Sequence, residues 1–275
     1  MAQSSTTSGW SQFWNRGGWW KAVIAAAVYL VLYEGVGLLL DTVIPAPEPG
    51  SAHEVLLRVG LPIAIGGVIL VVFALSIGWL RELFARQPIR GRWWMWIAVG
   101  VVLIFNLLRF ASIDYSAAGF ALVAAWLLTG LFVGFAEETL TRGIVVNLMR
   151  RAGHPEIAVA LVSAGTFALL HSVNLLAGQD AFTTAVQIVY TFAFGLCMYL
   201  ALRVTGHLIW PILLHASTDP SIFLLTAHPG TGPLTSIAGF GNIAVIIVGL
   251  LLLVFIRGRV EPKRDPALKT GAPLG

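Results

Sequence analysis

Three short stretches carry residue types and spacings that can do chemistry. In "FAEETLTRG", residues 135–143, Glu138 and Arg142 stand four apart and would share one face of a helix, where they can neutralise each other. Glu137 then points about 100° away, with no partner in its own helix. A carboxylate left unpaired in apolar surroundings has the character a general acid or base needs near neutrality. The second stretch, "FALLHSVN" at 167–174, sets Phe167 and His171 four apart and Asn174 three further on. The third, "HASTD" at 215–219, sets His215 and Asp219 four apart. A lone Glu-Arg pair is as well explained by a buried ion pair that fixes helix packing, and a lone histidine by a structural hydrogen bond. Two imidazoles and a spare carboxylate on three helices point instead to a site that moves protons.

The elements that must position these groups are membrane helices. Hydrophobic residues make up 57% of the chain and charged residues only 11%, with a mean hydropathy of +0.85. That leaves too little polar surface to coat a soluble globule of 275 residues. Apolar runs of roughly 20 residues, enough to cross a bilayer, fall near 20–42, 55–79, 94–112, 117–136, 157–174, 183–203, 208–226 and 238–256. The expectation is an all-α, polytopic membrane helix bundle of about eight transmembrane helices.

Charge placement predicts its orientation. Fifteen of the 17 Lys and Arg residues fall on alternate connections and the tail, leaving Arg58 and Arg109 on the other side. Cytoplasmic loops carry the basic residues, so both termini are expected in the cytoplasm and the first helix is expected to be retained. The net charge of +4 reflects this asymmetry and calls for no nucleic acid. The organisation reads as a polar segment (1–19), helices 1–3 (20–112), a core of helices 4–7 (117–226), helix 8 (238–256) and a disordered basic tail (257–275). An ionisable residue at membrane depth marks function by default, at roughly 2.5–3.5 kcal/mol for each charge.

Glu137-Glu138-x-x-x-Arg142, Phe167-x-x-x-His171 and His215-x-x-x-Asp219, in that order on three helices, resemble the signature motifs of the CPBP family. These are the type II CAAX prenyl endopeptidases and the bacteriocin-processing proteases. "FAFG", 192–195, resembles a weaker Phe/Gly motif of that family, and the resemblance covers roughly 117–226. It implies an intramembrane glutamic endopeptidase in which Glu137 and His171 activate a water. His215 and residue 219 would contact the oxyanion, and Glu138 and Arg142 would hold the geometry. Family members often carry Asn where this chain has Asp219. An ionised Asp219 cannot donate a hydrogen bond, so either it is protonated or it orients His215. The implied partners are a peptide or protein substrate in the membrane, whether a prenylated Cys-a-a-X protein or a leader peptide, and the lipid of a plasma membrane. Nothing in the sequence sets an oligomeric state.

Glu137, His171 and His215 are also a zinc-type ligand set. No HExxH pattern is present, and the expectation is a site without cofactor or metal. Two other function classes stay open: a proton- or cation-coupled transporter or channel using the same groups, and a catalytically silent scaffold or immunity protein on the same fold. Elsewhere, Glu34 and Arg58 are expected to pair, while Asn106, Asn147 and Gln187 are expected to hydrogen-bond between helices. Asn174 belongs either to the site or to a helix end. Cys197 is a packing residue, and the tryptophans form interfacial belts.

Overall fold

The computed structural model describes residues 8–261. Eight long helices follow one another: α1 (Trp19–Val43), α2 (Ala52–Ser76), α3 (Trp93–Ala111), α4 (Tyr115–Arg151), α5 (Glu156–Leu175), α6 (Ala181–Thr205), α7 (Ile209–Ala227) and α8 (Pro233–Leu253). All but α7 are long and apolar enough to cross a membrane, giving seven such spans among the described residues. The seventh expected run, 208–226, does form a helix of 19 residues, about 28 Å long. His215, Ser217, Thr218, Asp219 and Ser221 set it apart from the seven in polarity. The helix that brings His215 and Asp219 is thus the one whose sequence reads least like a span. No strand forms among the described residues, which carry only two isolated bridges, Ile113 with Pro229 and Pro155 with Arg259.

Helix α4 does not stop near residue 136. It runs on to Arg151, and Glu137 and Glu138 lie inside it, directly before a π-helical segment, Thr139–Val145. No proline interrupts this stretch, and the wider turn lets the helix continue while shifting the residues that follow it around the axis. Its last turn joins a buried clasp. Glu156, at the start of α5, accepts from Arg150 Nε (2.8 Å) and Nη2 (2.7 Å) and from Arg203 Nη1 (2.9 Å), and the Tyr199 hydroxyl also donates to it. Three helix ends are tied by one carboxylate.

Helix α6 is the most enclosed part of the bundle, with every residue from Ala193 to Arg203 buried. Cys197 packs inside this stretch, in keeping with its expected role. Two tryptophans depart from the expected belts. Trp14, in a short helix Gly9–Asn15, is buried against Phe73 at 5.0 Å between ring centroids. Trp79 is buried under the Arg151 guanidinium and donates to Asn15 Oδ1 at 2.8 Å. Trp19, Trp93 and Trp96 remain exposed, as interfacial residues do. At the other end, Glu156 N–H donates to the Gly258 carbonyl (2.9 Å), so residues just past α8 fold back onto α5. The rest of the expected tail, 262–275, and residues 1–7 lie outside the described residues.

Candidate active site

The site begins with two glycines. Gly130 and Gly134 lie one turn apart on α4, in "GLFVG", and face α7. A Cβ at Gly134 would meet the Ile212 carbonyl oxygen at 2.5 Å, and one at Gly130 would meet the Ala216 carbonyl oxygen at 2.4 Å. Only hydrogen fits there. This small-xxx-small face lets the two backbones touch, and it brings His215 of α7 against Glu137 and Glu138 of α4.

From the same face, Asn106 of α3 donates to Ser217 Oγ (2.9 Å) and Thr218 Oγ1 (2.8 Å), which fixes α7 immediately before Asp219. Asn106 thus makes the interhelical bonds expected of it. Arg109 donates to Asn242 Oδ1 at 2.9 Å and extends the same polar ladder to α8.

His215 is the centre of the arrangement. Its Nδ1–H donates to Glu138 Oε1 at 2.8 Å, and the same oxygen accepts from Arg142 Nη1 at 3.1 Å. Glu138, Arg142 and His215 are all buried. With Nδ1 held, Nε2 faces the Glu137 carboxylate at 3.6 Å and Asp219 Oδ2 at 3.8 Å. Those separations exceed a direct hydrogen bond, so Nε2 is committed to neither acid. The side chains of Glu137 and Asp219 keep 20% and 27% of their exposure, so the open part of the site is where these two acids lie. The carboxylate that orients His215 is therefore Glu138, and Asp219 stands on the opposite ring nitrogen.

Phe167 explains its own spacing to His171. Fully packed, its ring lies under the Arg142 guanidinium at 4.7 Å and meets the rings of His171 and His215 edge-on at 4.9 and 5.6 Å. A cation over an aromatic face is attracted by the ring quadrupole. One phenyl ring thereby separates and orients two imidazoles and a guanidinium. Phe194 closes the far side of His215 at 4.9 Å. Beside it, Gly195 leaves space that Arg142 uses, since a Cβ would lie 2.8 Å from Nη2.

Helix α5 changes to a tighter turn at His171–Leu175. His171 Nδ1–H donates to the Phe167 carbonyl at 2.9 Å, and in the neutral ring Nε2 is then the acceptor. His171 makes no ion pair with Glu137 or Asp219 among the described residues. It shares with Glu137 a cavity of about 150 Å³, which Asn174 also lines. Asn174 donates to Gln187 Oε1 at 2.8 Å, so it bridges to α6 as well as facing the cavity.

The same cavity contains a group that the sequence assigned elsewhere. Glu34 lines it, together with Tyr29 and Tyr33. The expected Glu34–Arg58 pair does not form, because Arg58 pairs with Asp41 and donates to the Ile44 carbonyl at 3.3 Å. Asp41 sits closer to the helix end that Arg58 reaches. The zinc alternative can also be weighed on donor geometry. Among the described residues, no group of three or more His, Cys, Asp or Glu is arranged to hold a metal ion, while the bonded Nδ1 atoms leave Nε2 of each ring as the nitrogen a metal would take.

Residues 119–220 match the family model described as type II CAAX prenyl endopeptidase Rce1-like. Over this stretch the chain is similar to that family. The match runs from the first turns of α4 to Pro220 and takes in Glu137, Glu138, Arg142, Phe167, His171, His215 and Asp219. It agrees with the CPBP resemblance of the three motifs, and the Rce1-like family is a family of membrane proteases. Helices α1 to α3 and α8 lie outside the matched stretch. No curated protein matches the chain.

The close approach of α4 and α7 yields a direct test. Replacing Gly134 by Leu is expected to push α7 off α4, lower the thermal midpoint and remove activity. Overpacking of this kind typically costs about 1–3 kcal/mol. Gly165→Ala, where nothing lies within 4 Å of the new Cβ, is the control and should leave the midpoint unchanged or higher. Equal midpoints for Gly134→Leu and wild type would show that the glycine contact does not position α7.

Proposed function

We propose that the protein is an intramembrane endopeptidase that hydrolyses peptide bonds of membrane-associated substrates through a water activated by Glu137 and His171. The observation that carries this reading is the convergence of Glu137 and Asp219 on Nε2 of a histidine whose other nitrogen is locked by Glu138. In this mechanism Glu137 takes a proton from water as its oxygen bonds to the scissile carbonyl carbon. His171, across the same cavity, accepts from that water through Nε2 and aligns it. His215, protonated on Nε2, donates to the oxyanion, and Asp219 on the same nitrogen holds that proton in place. Glu137 then returns its proton to the departing amide nitrogen as the C–N bond breaks. Such positioned proton transfer and oxyanion contact are the two ways a site of fixed dipoles accelerates amide hydrolysis.

Glu138 and Arg142 act as positioning groups, with Phe167 as the spacer between the rings. We read the reaction as metal-free, on the absence of an HExxH pattern from the sequence. Dialysis against a zinc chelator is expected to leave turnover unchanged; a loss reversed by added zinc would transfer Glu137, His171 and His215 to a metal-ligand role. The substrates proposed are peptides or proteins held in the bilayer, prenylated Cys-a-a-X termini or leader peptides among them. The basic-residue asymmetry supports both termini in the cytoplasm, and the membrane proposed is the plasma membrane.

The deciding experiment compares peptide termini in membranes from cells carrying the wild-type protein or Glu137→Gln at equal levels. Termini present only with wild type are the expected result and identify the substrates. Identical termini in both would sink the proteolytic reading.

A further inference from the structure

The first helix carries none of the recognised motifs, yet it forms one wall of the cavity that holds Glu137 and His171. Tyr29, Tyr33 and Glu34 fall at positions i, i+4 and i+5, so all three lie on one side of α1. The two tyrosine rings stack at 6.1 Å with planes 13° apart. Tyr29 is buried, and its hydroxyl has no hydrogen-bond partner among the described residues. No cation among the described residues pairs with Glu34, since Arg58 is held by Asp41.

An acid without a cation at membrane depth is costly and marks a functional position. Glu34 lies 15 residues into α1 and His171 15 residues into α5, and both line the one cavity. The acid therefore lies beside the groups around the reacting bond. A carboxylate beside aromatic rings is the chemistry that recognises an ammonium or guanidinium. The cavity, about 150 Å³, has room for one side chain.

We propose that Tyr29, Tyr33 and Glu34 form a substrate subsite for a basic side chain, lysine or arginine, next to the scissile bond. This rests on the peptidase reading for its role, while the site itself can be tested without turnover. Glu137 on the opposite wall adds a second negative charge to the same cavity and strengthens the preference for a cation over a neutral residue. An acidic side chain at that position would face two carboxylates and be rejected.

The test measures binding to the full-length Glu137→Gln protein in lipid nanodiscs, where no cleavage is required. The probes are apolar acetylated heptapeptides in which a single lysine is moved through each position, each paired with the same peptide carrying norleucine. At one or two adjacent positions lysine is expected to bind about tenfold tighter than norleucine, the scale of one charge-assisted contact. That ratio should fall to about one when Glu34→Gln is added, and Glu34→Lys should shift the preference to a glutamate probe. Thermal unfolding of each variant confirms that it is folded. A lysine preference that survives Glu34→Gln, or no preference at any position, overturns the subsite. Loss of proteolysis as the function is read separately, from the wild-type and Glu137→Gln termini.

Discussion

Glu137→Gln is expected to lower peptide hydrolysis by at least about 10²–10⁴-fold, the range that a positioned general base contributes, while leaving the thermal midpoint close to wild type. The expectation follows from where the side chain lies. Its carboxylate meets His215 Nε2 only at 3.6 Å and is the exposed member of the Glu137-Glu138 pair. Glutamine keeps the volume and a carbonyl oxygen at that place but cannot take a proton from water. The buried pair beneath it, Glu138 with Arg142, is untouched. Turnover and binding of one peptide, measured on the same preparation, separate the outcomes. Retained binding with lost turnover fits a base; equal loss of both fits a residue that only contacts substrate. A Glu137→Gln protein that turns over at the wild-type rate would remove Glu137 from the chemistry.

Much of this arrangement was legible in the sequence because its signals are local. Runs of about 20 apolar residues mark helices in any bilayer, and the i, i+4 spacings of Glu138 with Arg142, Phe167 with His171 and His215 with Asp219 are helix geometry written in one dimension. What failed to show was each residue's second partner on another helix. Glu138 reads as the partner of Arg142, and nothing in its neighbourhood reveals that it also holds His215 Nδ1, 77 positions away. Glu34 reads as a match for Arg58 by sign and depth, yet Asp41 is nearer to the guanidinium in space. Trp14 and Trp79 have the composition of interfacial belts but are covered by Phe73 and Arg151. One signal was present and went unread: the Gly130-x-x-x-Gly134 spacing marks a face where another backbone comes into contact, and the structure supplies α7 as that backbone. The polarity of α7 has the same origin, since a helix covered by α3, α4 and α6 can carry the hydroxyls and imidazole that a lipid-facing helix cannot.

The largest effect on stability is expected not at Glu137 but at its neighbour. Glu138→Gln removes the charge that compensates Arg142, which is 1% exposed and has Nε and Nη2 without protein hydrogen-bond partners. Breaking a buried ion pair by deleting one member typically costs about 3–5 kcal/mol, because the remaining charge is left without compensation. The same substitution also weakens the bond that fixes His215, so activity falls along with the fold. Two adjacent glutamates, changed identically, should therefore give opposite signatures: lost turnover in a stable protein for Glu137, and a lowered midpoint for Glu138. Replacing both members of the pair, Glu138→Gln with Arg142→Met, is expected to recover part of the stability, since no unpaired charge remains, but not the activity, since His215 is still without its carboxylate. Thermal unfolding of the two single variants and the double completes the cycle. Full additivity of the two losses would mean that Glu138 and Arg142 do not act as a pair.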